Sequence, residues 1–288
     1  ASWLVVPCLF SCRVAIILYR GSRCRVQPGH QAILEANVAK IRFSGPLRTR
    51  LCSFVALNRC AIRTYMERAQ GKRLEPTWSV DLEIGVRFWR HQFTCAMRQK
   101  DPVRAREIFD SLQTETDDIY DVTTETTMVP QGTWYRPRRT TSRAIVLYFH
   151  GGGYMFNGPI SARFAAMFAH HTGTDLFAPQ YRLTPEHPHP AQAEDALAAW
   201  HYVRGFAPED RIIVMGDSAG GHMALMLLQT LKREGLGQPA LCVGLCPWTD
   251  IGDRGDSLRG NDRYDLVQGW MALQFGRWLD PDQTFGRD

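Results

Sequence analysis

Four short apolar runs constrain this chain more than anything else in it: 143–150 (RAIVLYFH), 174–181 (TDLFAPQY), 211–217 (RIIVMGD) and 240–248 (ALCVGLCPW). Each is shorter than an ordinary helix and apolar almost throughout, the pattern of a strand covered on both faces. Helical patterns separate them. GPISARFAAMFAHHTG is a helix stopped by Gly173, AQAEDALAAWHYV follows a proline-rich turn, and AGGHMALMLLQTLKREG has Lys232 and Arg233 in its last turn with Gly235 as the stop. Ahead of the first run, TTETTMVPQGTWYRP reads as a hairpin. Strand alternating with helix means a mostly parallel sheet with helices on both faces, the α/β class.

The flanks are less regular. From Trp78 to Leu112 the pattern is helical, with Val80, Ile84, Phe88 and Phe93 near helical intervals. DPVRAREIFDSL predicts a second helix with Asp101 as N-cap and Pro102 in its first turn. YDLVQGWMALQFGRWL predicts an amphipathic helix whose aromatics are packing surface. Residues 1–75 show weak periodicity. The apolar stretch 3–18 is broken by Arg13, is short for a membrane span and lacks a cleavage site. Residues 1–60, with nine Lys and Arg against Glu35 alone, have the composition of a transit peptide or leader. The expected division is 1–75 as an N-terminal leader or extension, 76–113 as a helical segment, and 114–288 as the α/β domain, its last strands missing.

Charge argues against a nucleic-acid partner. The net charge is +5, but residues 1–113 hold 19 Lys and Arg against 8 Asp and Glu, while the rest hold 15 against 21. A uniformly basic surface is not what this describes, and the arginines are isolated rather than interleaved with glycines and aromatics. Eight cysteines include no C-x-x-C pair and no histidines at zinc spacing. Reduced thiols, and with them a cytoplasmic compartment, are expected; Cys242 and Cys246 read as small hydrophobes in an apolar run. No cofactor or metal is implied, and a membrane partner is not expected.

Two motifs carry chemistry. Gly216-Asp217-Ser218-Ala219-Gly220 matches G-x-S-x-G and sits between an apolar strand and a helix. A serine on a tight strand-to-helix turn is strained and exposed, and small residues two before and two after it let the turn pass its neighbours. His150-Gly151-Gly152-Gly153 ends the first apolar run. Successive glycines allow backbone N–H groups to face a ligand. No G-K-[ST] follows, so a nucleotide loop is not expected. His150 reads as a loop-ordering hydrogen bonder.

Together HGGGY, YRLTPEHPHPAQAEDA and GDSAGG resemble the α/β-hydrolase fold-3 family, the hormone-sensitive-lipase-like carboxylesterases and lipases. The resemblance covers about residues 115–288. It implies Ser218 as nucleophile, an oxyanion hole from the amides of Gly152, Gly153 and Ala219, and a cap from helices near 78–112 and 262–280. The implied substrate is a small carboxylic ester or lactone of short to medium chain. Arg182, Glu186, Asp195 and His201 read as structural, and His170-His171 as a helix-end pair lacking the third ligand a metal needs. In this fold the order is Ser, acid, His. No histidine follows His222, and His222 lies four residues along the nucleophile helix. The expectation is therefore a C-terminally truncated chain whose triad Asp and His lie beyond Asp288. The alternatives are a non-catalytic small-molecule binder on the same scaffold or an inactive fragment. The oligomeric state is not legible.

Overall fold

The computed structural model describes residues 3–7, 15–20, 40–115, 120–252 and 255–283. In chain order the strands and helices are β1 (Trp3–Pro7), β2 (Ala15–Arg20), β3 (Lys40–Phe43), α1 (Leu47–Ala69), α2 (Val80–Met97), α3 (Pro102–Phe109), β4 (Leu112–Glu115), β5 (Val122–Met128) and β6 (Gln131–Pro137). There follow β7 (Ile145–Phe149), α4 (Pro159–Thr172), β8 (Asp175–Pro179), α5 (Ala191–Arg204), β9 (Ile212–Asp217), α6 (Ala219–Arg233), β10 (Leu241–Leu245), α7 (Asp256–Gly260) and α8 (Gly269–Leu279). They fall into two compact units, Ala1–Val38 with Thr116–Thr249, and Ala39–Glu115 with Asp250–Asp288.

The first unit is a sheet in the order β1-β2-β10-β9-β7-β8-β6-β5. Its middle strands β10, β9, β7 and β8 run parallel. The predicted hairpin is β5–β6, antiparallel from Val122↔Pro137 to Met128↔Gln131, and β6 joins the sheet against β8. β2 pairs antiparallel to β10, so that edge is occupied rather than bare. All five residues of β7 are buried, as a run without alternation requires.

Helices cover both faces. Val146 and Tyr148 pack with Ala165 and Ala169 of α4. By the two-residue period of a strand, Ile145, Leu147 and Phe149 face the other way. On β6 the same rule puts Tyr135 with α4, while Trp134 donates from its indole to Tyr202 of α5 at 3.1 Å. Gly173 ends α4 in a left-handed conformation with φ 59°, as predicted.

The second unit is helical and departs further from expectation. The weak periodicity of 1–75 hides the 23-residue α1. That helix reads poorly because its larger apolar residues Leu51, Val55, Ile62 and Met66 share an exposed face, whereas the buried face holds Ala56. Polar residues fill its buried positions instead, with Ser53 and Thr64 sealed in. Ser53, Gln92 of α2 and Ser111 form a closed buried network at 2.6–3.0 Å. Glu83 is fully buried and accepts from Arg68 at 2.8 Å and Arg87 at 2.7 Å. α3 begins as predicted, with Asp101 accepting from the Val103 amide. α8 is shorter than predicted, because Asp262 takes the Gly269 amide at 2.7 Å and starts the helix there. The leader reading of 1–60 falls in part, at 1–2, 8–14 and 21–39, on residues outside those described.

Candidate active site

β7 and β9 are in parallel register with Tyr148↔Met215 and Phe149↔Gly216, so they end in step. Each then runs into one of the two motifs. After β9 the chain turns at Ser218, whose φ of 50° and ψ of −117° lie outside the regions a non-glycine residue favours. α6 starts at the next residue. The Ser218 amide donates to Leu245 at 2.9 Å, and its carbonyl accepts from Trp248 at 2.9 Å and His222 at 3.1 Å. The strained turn is therefore held from β10 on one side and from its own helix on the other.

The flanking glycines are required by packing. A Cβ on Gly216 would stand 2.2 Å from the Gly220 carbonyl oxygen, and one on Gly220 would stand 2.0 Å from that of Phe149. Ala219, fully buried, has an amide at the first position of α6, where no intrahelical acceptor exists.

The glycine loop lies against this turn. Gly152 has φ 110° and Gly153 has φ 63°. The Gly152 carbonyl accepts from Met155 at 3.1 Å and Phe156 at 2.9 Å, which closes the loop on itself. Gly151 donates to the Asp217 carboxylate at 2.9 Å, linking loop to elbow. The three amides named for an oxyanion hole thus belong to two segments tied together at their roots.

His150 is buried, stacked on Tyr181 with centroids 4.2 Å apart, and its Nδ1 meets the Gly151 carbonyl at 2.7 Å. Burial lowers its pKa to about 4, so the ring is neutral. This is the ordering role read from the sequence. Tyr181 donates to the His150 carbonyl at 2.7 Å, extending the brace to the chain after β8. His222 meets the Tyr154 hydroxyl through Nδ1 at 2.8 Å, and burial, helped by His189, lowers its pKa to about 4 as well.

The remaining readings sort as follows. Arg182 is structural, but its acids are Asp195, at 2.8 Å, and Glu194, at 2.7 Å. His201 is exposed on α5. His170 accepts the Asp121 amide at 3.2 Å, and both histidines meet the Tyr120 ring, His170 tilted and His171 edge-on, so the pair packs a strand start rather than serving only a helix end. Cys242 is buried and burial pushes its thiol up to about 12, but Cys246 is exposed, having left the strand at φ 46°. Among the described residues no three His, Cys, Asp or Glu form a metal-binding group, and no helix is long and apolar enough to cross a membrane. Tyr148 and Asp217 were missed as site residues. Nothing marks a tyrosine in an apolar strand, and the variable position of G-x-S-x-G carries no signal by itself.

A family model described as alpha/beta hydrolase fold matches residues 146–284. An acetyl-hydrolase of Streptomyces hygroscopicus is 36% identical over 156 residues, 54% of this chain and 50% of that protein. Esterase LipI of Mycobacterium tuberculosis is 40% identical over 142 residues, 46% of this chain and 44% of its own length. The chain thus spans about half the length of the curated relatives it matches. Among solved structures, an esterase from the bacterial hormone-sensitive lipase family aligns with a TM-score of 0.63 at 26% identity, covering 72% of this chain and 71% of that one. A mutant of the esterase E40 aligns with a TM-score of 0.64, also at 26% identity and with the same coverage.

Proposed function

We propose, from the match of residues 146–284 to a family model described as alpha/beta hydrolase fold, that this chain carries the nucleophile and oxyanion hole of a serine hydrolase for small carboxylic esters. The observation that carries the reading is Ser218 at φ 50° on the strand-to-helix turn, with the glycine loop bonded to the same turn through Asp217. Such strain is kept only where the surroundings enforce it, and here it presents a hydroxyl clear of its own helix.

In this mechanism the Ser218 hydroxyl attacks the ester carbonyl. The charge that develops on the carbonyl oxygen is met by the amides of Gly152, Gly153 and Ala219, preorganised by the loop bonds and by the start of α6. Collapse expels the alcohol and leaves an acyl-enzyme, which water hydrolyses. A general base must take the serine proton and return it to the alcohol, and an acid must orient that base. His222 is unsuited to this, since its amide is bonded to the Ser218 carbonyl and its ring to Tyr154. The esterase and acetyl-hydrolase names of the relatives support an acyl ester as substrate class.

The test is Ser218→Ala in the full-length protein carrying this chain, assayed on p-nitrophenyl acetate and butyrate. Turnover should fall about 10⁴-fold or more, to the residual rate an oxyanion hole alone supports. Hydrolysis retained near the wild-type rate overturns the assignment. A wild-type protein that binds esters without turning them over favours the binder on the same scaffold.

A further inference from the structure

The ladder between β7 and β9 stops at Phe149↔Gly216. The loop amides that the proposed mechanism needs lie beyond that point, where sheet hydrogen bonds no longer fix them. The Asp217 side chain bridges the gap at the root of the loop, as Tyr154 does farther along through His222. Asp217 Oδ1 accepts from the Tyr148 hydroxyl at 2.6 Å and from the Gly151 amide at 2.9 Å. Tyr148 is fully buried in β7, and burial together with the neighbouring Asp217 charge pushes its phenol far up, so it remains a donor. The fit is close: a Cβ on Gly151 would stand 2.2 Å from Asp217 Oδ2 and 3.0 Å from the Asp217 carbonyl oxygen.

We propose that Asp217 is a positioning residue, clamped by Tyr148, that sets the glycine loop against the Ser218 elbow. The proposal rests on the serine-hydrolase reading and says how its oxyanion hole is held. Asp217 adjoins the nucleophile in sequence, so its carboxylate ties the loop amide of Gly151 directly to the residue before Ser218. Burial raises the Asp217 pKa, and the bonds from Tyr148 and Gly151 oppose that rise. A negative charge behind an oxyanion hole opposes the charge that develops in front. Its benefit must therefore be geometric, which separates it from electrostatic catalysis.

The test uses the full-length protein and four variants. Asp217→Ala should lower kcat about 10- to 100-fold with KM within about twofold, the size of effect expected for amides displaced by a fraction of an ångström. Asp217→Asn keeps an acceptor oxygen and should recover most of that loss. Tyr148→Phe should cost about threefold to tenfold, and the double variant Asp217→Ala/Tyr148→Phe no more than Asp217→Ala alone, because Tyr148 acts through Asp217. Affinity for a trifluoromethyl ketone, which places an oxyanion in the hole, should fall in step with kcat. Wild-type kcat per titrated Ser218 in Asp217→Ala, or unchanged ketone affinity, overturns the clamp. If Asp217→Ala does not fold, Tyr148→Phe carries the decision through amide exchange in 150–156: faster exchange supports the clamp, unchanged exchange refutes it. Ser218→Ala run alongside separates the two levels. An active Ser218→Ala removes the parent reading, whereas an inactive one with a fully active Asp217→Ala removes only the clamp.

Discussion

The sheet unit and the helical unit are held by different physics. Around the elbow, backbone passes backbone at distances that leave no room for a methyl group, as at Gly216 and Gly220. In the helical unit the centre is polar: fully buried Glu83 takes two arginines, and Ser53, Gln92 and Ser111 close a ring of hydrogen bonds. The first arrangement writes itself into sequence as fixed glycines at fixed spacing. Apart from the local Glu83–Arg87 pair, the second needs partners 15 to 58 residues apart, which leave no local pattern.

That difference sets how hard each unit is to break, and the variants follow in order of effect. Ser218→Ala should remove nearly all turnover while leaving the thermal melt of the protein unchanged. Glu83→Ala should do the reverse. Removing one member of a buried ion cluster costs about 3–5 kcal/mol, because it leaves arginine charge without its partner. Its melting temperature should drop, and cysteines of α1 and α2 should react faster with a thiol reagent. If Glu83→Ala melts like wild type, the polar centre is not what holds the helices. Gly220→Ala should cost about 1–3 kcal/mol or more by overpacking and should also abolish turnover, since the Phe149 carbonyl must move. A stable, active Gly220→Ala would contradict the close approach.

Acid sharpens the comparison. In the sheet unit His150 and His222 are buried neutral, each with its pKa lowered to about 4. A lowered histidine contributes stability that is complete above the unfolded value near 6.5 and is lost as pH falls from there toward 4. At pH 5.5 each should have lost about 1 kcal/mol. The raised Asp217 carboxyl works in the opposite sense. Urea melts at pH 7.5 and 5.5 should show a smaller drop in His222→Gln than in wild type, and equal drops would contradict burial of that ring. Glu83 behaves otherwise: burial would raise its pKa, but the bonds from Arg87 and Arg68 outweigh burial and lower it. Its contribution persists until pH falls below the ordinary glutamate range. The smallest effect belongs to Arg63→Ala. Its pair with Glu67 lies on the exposed side of α1, and such pairs contribute about 0.5 kcal/mol or less.

Legibility followed the same line. Every strand of the parallel core was readable because burial on both faces leaves uninterrupted apolar runs, and every core helix because Gly173, Gly235 or a proline marks its end. Ser218 and the glycine loop were readable because backbone geometry restricts the residue type. α1 was not, since its buried positions are Ser, Thr and Ala and its larger apolar residues face outward. The Arg182 partners Glu194 and Asp195 lie on α5 across a turn, a pairing that sequence spacing does not show. Asp217 and Tyr148 became visible only as a distance between two strands.

The central claim is that Ser218 is a nucleophile beside a formed oxyanion hole. The most direct measurement is to treat the full-length protein with a fluorophosphonate, follow ester turnover, and map the adduct by mass spectrometry. The account predicts one adduct per chain, on Ser218, with turnover lost in proportion. A label on another residue, or hydrolysis that survives complete modification of Ser218, would contradict it.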